Sequence, residues 1–371
     1  MEKSSTKNEK PLVYFASTAV ECLEGEATLP AKFKRMIKRL NFPEKMENKK
    51  VVVKMHFGQD LGYTTIHPLF VRILVQAIKD AGAKSVNIMD GDASNAVGRG
   101  YTDEVVGCPA VSCFGKDGKY VQKEKIGFRT LDEVLFSQEA LDAEFFLDLS
   151  HLKGHGDCGF GGALKNIAMG VVPGESRRKL HSLEGGLTID RSKCVYCLKC
   201  FNACKNNAIK ADKTKREIDF FFHNCTYCQH CLMVCPEKAI KMGDRKFEGF
   251  SEGMAIVTSK FLKKFKPENL LFINFLTNIT IYCDCWGFST ASLVPDIGIL
   301  GSEDIGAIDT ASLDMVKTEN LLPEGLPRNR KLLDKGKHLF ERIHGKDPYL
   351  MLKFLEKYYD CSMKYQLEEV K

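Results

Sequence analysis

Between Cys194 and Cys235 the chain carries the same phrase twice, CVYCLKCFNAC and CTYCQHCLMVC, each a C-x2-C-x2-C-x3-C run. Thiolates are soft ligands, and eight at this spacing match what two cubane [4Fe-4S] clusters take, which predicts one-electron chemistry. Each cysteine of the first copy recurs 31 positions later: Cys194 as Cys225, Cys197 as Cys228, Cys200 as Cys231, and Cys204 as Cys235. This is an internal duplication. A loop with cysteines at every third position wraps one corner of a cube, and in two-cluster ferredoxins the other copy supplies the fourth ligand. The expected sets are Cys194, Cys197, Cys200 and Cys235 for one cluster, and Cys225, Cys228, Cys231 and Cys204 for the other. Structural zinc takes two separated pairs, or a pair with histidines, around one tetrahedral ion, which is not the pattern here. The copies also share their tails, NNAIK and EKAIK, although Pro236 after the last cysteine of the second copy is matched by Lys205 in the first.

A second set of polar residues is notable for its position. The stretch 51–57 reads as a strand, 68–82 as a helix with proline in its first turn and glycine past its end, and 85–90 as another strand, which together make a βαβ unit. After a less regular stretch with a turn at 115–119, residues 143–150 give a strand, followed by a glycine-rich loop and a helix around 163–169. Beyond the cysteines, a helix is expected at 252–265, strands within 269–282 and at 296–300, and helices near 305–316 and 348–359. Short apolar strands alternating with helices predict an α/β fold, a mostly parallel sheet with helices on both faces. In such sheets ligands bind beyond the carboxyl ends of the strands. Lys54 and His56, Asp90 and Asp92, His151, Lys153 and His155, Cys283 and Cys285, and Ser302, Glu303 and Asp304 all follow predicted strands, so they are expected to converge on one crevice. Lys54, His56, His151, Lys153, His155, Cys283 and Cys285 are the candidate catalytic residues. Gly159, Gly161 and Gly162, followed by Lys165 and Asn166, are candidates to bind a cofactor or anion, because glycines let backbone approach closely and a helix N-terminus attracts negative charge. Cys283 and Cys285 could bind metal, act as a redox pair, or be buried apolar thiols.

The cysteine-rich segment lacks this alternation and falls between two stretches that have it. The expected organisation is an α/β domain split into 11–190 and 244–371 by an inserted α+β two-cluster ferredoxin-like module at 191–243. The net charge of +6 resides in that insertion, where ten Lys and Arg face four Asp and Glu. A cubane with four thiolates is itself anionic, so the basic excess reads as charge compensation, and no recognition motif points to nucleic acid. The first ten residues, MEKSSTKNEK, are polar and no long apolar run follows, so a cytoplasmic protein without a membrane span is expected. Fifteen cysteines in such a chain fit a reducing compartment, with Cys22, Cys108, Cys113 and Cys361 structural and Cys158 a weaker site candidate.

Taken in order, KMHFGQDLGYTTIHP (54–68), SHLKGHGDCGFGGALKNIAMG (150–170), RRKLHS (177–182), the two cysteine runs, CDC and VPDIGILGSEDIGAID (294–309) resemble a family of prokaryotic iron-sulfur proteins, domain of unknown function 362. The resemblance implies an α/β domain with an inserted two-cluster ferredoxin and names no reaction. The expectation is an iron-sulfur oxidoreductase that takes electrons from a redox partner protein and delivers them to a small anionic substrate or an additional metal in the crevice. A ferredoxin-type carrier, or a metal or cofactor delivery protein, are the alternatives. The absence of G-x-G-x-x-G after the first strand gives no support for a nicotinamide site.

Overall fold

The computed structural model describes residues 9–59, 61–183, 186–225, 230–242, 247–328 and 330–371. Eight strands form the central sheet: β1 (Leu12–Ser17), β2 (Lys50–Lys54), β3 (Ser85–Asp90), β4 (Ala110–Ser112), β5 (Phe145–His151), β6 (Leu270–Leu276), β7 (Gly298–Ser302) and β8 (Gln366–Glu369). Their order is β8-β1-β7-β6-β5-β2-β3-β4. Pairing is parallel from β6 through β5, β2 and β3 to β4, and again between β1 and β8; only β7 runs against its neighbours β1 and β6.

Alternation along the central strands explains why both faces are covered. On β5, Phe145, Leu147 and Leu149 point into one apolar cluster with α1 (Leu29–Arg39) and α2 (Pro68–Asp80), while Phe146 joins the other. That second cluster is closed by α3 (Ala163–Gly170), α4 (Glu248–Leu262), α5 (Ile305–Met315) and α6 (Leu350–Tyr358). A strand buried on both sides reads as a continuous apolar run, as FFLDLSH nearly does. The helix α2 begins at Pro68 with the His67 side chain accepting the Leu69 N–H at 3.1 Å, and it ends before Gly82 at φ +77°.

Three expectations need correction here. The strand expected at 51–57 stops at Lys54, and beyond it His56 lines the crevice while Met55 and Phe57 are buried in the core. The stretch before β5 is not irregular: Val121–Phe128 and Leu131–Ser137 form an antiparallel hairpin, whose charged, half-exposed first strand hides its period. Because β7 is reversed, Ser302, Glu303 and Asp304 emerge at the opposite end of the sheet from His56 and His151. There they line a separate hollow with Tyr14, Arg39 and Lys45, and Asp304 caps α5 by accepting the Ala307 N–H at 2.8 Å.

The cysteine segment forms its own small core, in which Cys200, Cys225 and Cys231 are buried with Ile209, Ile218 and Ile240. Leu187–Ile189 pairs antiparallel with Ile240–Met242, so the entry and exit of the segment meet, and Ile209–Asp212 pairs with Glu217–Phe220. The duplication is visible in the backbone: the repeated tails become the strands beginning at Ile209 and Ile240, each preceded by a left-handed residue, Asn207 at φ 52° and Lys238 at φ 48°. Among the described residues no helix is long and apolar enough to cross a membrane.

Candidate functional site

The carboxyl ends of β2, β3 and β5 open onto a crevice of about 200 Å³. Lys54, His56, Asp90, His151, Lys153, His155, Lys165, Asn166, Cys283 and Cys285 all line it, as do Gly161 and Gly162. Parallel neighbours deliver these groups to one place, and most of them are already tied to one another.

Two buried carboxylates organise the walls. Asp90 accepts from Lys54 Nζ at 3.1 Å and from the Phe57 N–H at 2.9 Å, and it faces His56 Nδ1 at 2.8 Å. Burial alone would push its pKa up, but the charges of Lys54 and His56 outweigh it and hold the carboxyl well below the ordinary range. Asp284, 1% exposed, is the second hub: it takes Lys153 Nζ at 3.0 Å and Thr64 Oγ1 at 3.1 Å, and faces His151 Nδ1 at 2.9 Å. Here too the cost of burial is overcome by Lys153 and His151, so Asp284 stays ionised far into acid. The other nitrogen of His151 lies 2.8 Å from the Thr277 carbonyl oxygen, which makes this ring an anchor for the 277–284 loop. Asn166 bridges two strands, its amide donating to Asp148 at 2.8 Å and accepting Lys54 Nζ at 2.9 Å. Burial raises Asp148 to about 8, against the Ser150 and Asn166 hydrogen bonds that favour its ionised form.

Between these hubs lies a pair of cysteines. Cys283 is buried and Cys285 half-buried on the short turn Asp284–Trp286, with Lys165 Nζ 3.1 Å from Cys283 Sγ and 3.8 Å from Cys285 Sγ. The hydrogen bond from the Cys285 thiol lowers the Cys283 pKa, and Lys165 and Lys153 lower it further against the effect of burial. Cys285, which keeps the shared proton, is raised for the same reason. Lys165 is itself held protonated, because the two sulfurs outweigh its desolvation. His155 joins this pair: one of its ring nitrogens and the two sulfurs lie within 4.8 Å of one another. By contrast, burial drives Cys108 to about 11 and Cys113 to about 12, which marks them as packing thiols. Cys158 sits under His155, its sulfur 3.3 Å from Nδ1 and 3.1 Å from the Phe160 carbonyl oxygen.

The glycine-rich loop departs from expectation. The N-terminus of α3 is already occupied by the protein's own carboxylate: Asp309 accepts the Ala163 and Leu164 N–H groups, each at 2.9 Å, and a Cβ on Gly162 would stand 2.5 Å from Asp309 Oδ1. Gly162 is therefore small to admit Asp309, so an anion in the crevice does not bind at this helix end. Gly159 lies outside the crevice lining: at φ +87°, its Cα faces the backbone of Pro348, where a Cβ would come within 2.9 Å. Sequence reasoning passed over Asp284 as the spacer between two cysteines, and Asp309 because it is far along the chain. Arg177 and His181 also line the crevice, and only the RRKLHS resemblance pointed to them.

Cys194, Cys197, Cys200 and Cys235 line one small cavity, which brings three cysteines of the first copy together with the last of the second. Cys204 and Cys235 occupy equivalent positions, each accepting the backbone N–H four residues on, from Ala208 at 3.2 Å and Ala239 at 3.3 Å. Cys225 and Cys231 are buried nearby, and Cys228 lies outside the described residues.

The module is fastened to the crevice. Lys346, 1% exposed, donates to the carbonyls of Cys225 and Phe222 and to that of Gly156, the residue after His155. Trp286, next to Cys285, stacks on Tyr282 at 4.5 Å between ring centroids and meets Phe221 edge-on at 5.4 Å, while the Tyr282 hydroxyl donates to Asn224 at 3.0 Å.

No curated protein matches the chain. Among solved structures, the lactate racemase apoprotein from Thermoanaerobacterium thermosaccharolyticum aligns with 13% identity and a TM-score of 0.34, over 72% of this chain and 51% of that one. A Thermotoga maritima protein solved by a structural genomics consortium aligns with 14% identity and a TM-score of 0.36, over 68% and 52%. The chain thus spans about half the length of both. The family model for a domain of unknown function, DUF362, matches residues 51–314, a stretch that holds the crevice and the cysteine module together, and the chain belongs to that family.

Proposed function

We propose that the protein is an iron-sulfur redox protein that relays single electrons through two [4Fe-4S] clusters to a substrate or metal in the α/β crevice. The observation that carries this reading is the sharing of one cavity by Cys194, Cys197, Cys200 and Cys235. Four cysteines, soft thiol donors, lining one space fit a cluster, and backbone N–H groups aimed at Cys204 and Cys235 are the contacts that stabilise anionic cluster sulfur. Bound there, the clusters would supply one-electron transfer at low potential. The chain's own residues supply the rest. Lys346 and the Phe221, Trp286 and Tyr282 rings hold the second copy against the loop that bears Cys283 and Cys285.

The described crevice lining carries Lys54, Lys153, Lys165, Arg177 and four histidines against Asp90 and Asp92, with Asp284 and Asp157 set behind it. This cationic balance favours a small anionic substrate, and it is strengthened by a partly closed cavity where charge is weakly screened. An external redox partner would feed electrons in through the module, where Cys197 is exposed.

The reading is tested by anaerobic titration with dithionite. Native protein is expected to take up about two electrons per chain, one per cluster, with paramagnetic signals appearing in the reduced state. Protein that takes up none, with its visible spectrum unchanged, would show that the module is not a relay.

A further inference from the structure

We infer that His155, Cys283 and Cys285 form a three-ligand site for a divalent transition-metal ion of the zinc type, distinct from the module cysteines and open to the crevice on its fourth side. Their ligand atoms lie within 4.8 Å of one another. Tetrahedral zinc, with bonds of about 2.3 Å to sulfur and about 2.0–2.1 Å to nitrogen, needs ligand atoms about 3.5–4 Å apart, a closure within reach of side-chain rotation. Two thiolates and an imidazole suit zinc-like ions and disfavour magnesium or calcium, which take oxygen. Three protein ligands with the next position open is the arrangement of catalytic rather than structural zinc.

The surroundings hold the ligands in place. Cys283 and Cys285 flank Asp284, whose bonds to Lys153 and Thr64 and contact with His151 fix the turn that carries both sulfurs. His155 Nδ1 lies 3.9 Å from the Asp157 carboxylate, and a proton on Nδ1 turned toward that carboxylate leaves Nε2 as the ligating atom. Lys165 Nζ and the Cys285 N–H, 3.1 and 3.5 Å from Cys283 Sγ, are donors that offset thiolate charge. A lysine-activated thiol pair alone would not require an imidazole at the same point. The three ligands lie outside the duplicated segment, so the site stands independently of the cluster reading and adds a Lewis-acidic position beside the cationic wall.

The test supplies zinc anaerobically to the full-length, cluster-loaded protein, removes unbound metal by gel filtration, and measures zinc and iron together. Native protein should retain about one zinc per chain with a zinc-edge X-ray absorption spectrum fitted by two sulfurs and at least one nitrogen. Cys283→Ser, Cys285→Ser and His155→Ala should each reduce zinc at least tenfold without lowering iron content. Cys285, half-buried, is the substitution least able to disturb folding, and circular dichroism checks each variant. Native protein that retains no zinc, or Cys285→Ser protein that folds and retains as much as native, overturns the site. Protein lacking iron would instead count against the clusters, and the zinc comparison would still be read between native and variant.

Discussion

Cys235→Ala is expected to destroy the cluster that Cys194, Cys197 and Cys200 begin, although Cys235 lies in the other copy of the repeat. The four cysteines line one cavity, and three of them come from a single loop that cannot close a cube alone. Cys204→Ala should spare that cluster and damage the one that Cys225 and Cys231 begin. The check is electron paramagnetic resonance of reduced variants. Cys235→Ala and Cys197→Ala should leave the same residual signal, and Cys204→Ala should share a different one with Cys231→Ala. About half of the iron should go in each case, since each site holds one of two equal clusters. If Cys235→Ala instead matches Cys231→Ala, each copy ligates its own cluster and the exchange is wrong.

Lys346→Met should uncouple the module from the crevice. Its Nζ is buried against three carbonyls, of Gly156, Phe222 and Cys225, which matches the three donors of an ammonium group. Methionine fills the same apolar path and leaves those three acceptors without a donor. Because buried acceptors stripped of a charged donor cost about 1–3 kcal/mol each, and the strand ends can relax, the expected loss is on the order of 3 kcal/mol. The variant should unfold at lower denaturant, and its cluster absorbance should bleach faster in air than that of native protein. Lys353→Met, which removes only an exposed pair with Asp347, is the control and should change neither. Equal bleaching in Lys346→Met and native protein would mean that the junction does not protect the module.

The central strands were legible because they are buried on both faces: FFLDLSH and LLFINFL read as apolar runs, and their parallel pairing follows from the helices between them. That pairing is also why Lys54, His56, His151, Lys153, His155, Cys283 and Cys285 could be assigned to one crevice from position alone. The reversal of β7 was not legible. DIGIL has the same composition whichever way it runs, and direction depends on partners nearly three hundred residues away in β1. For the same reason the helix end at Gly162 read as an anion site: the carboxylate that fills it, Asp309, is 146 positions from Ala163. The edge strands failed differently. Gln366–Glu369 is mostly polar and pairs on one side only, so neither period nor apolarity marks it.

The measurement that bears most directly on the account is the iron and acid-labile sulfide content of native protein purified without oxygen. About eight of each per chain is the predicted result, from two cubane sites. A plateau near four iron would leave one site, and zinc in the module with no labile sulfide would contradict the relay outright.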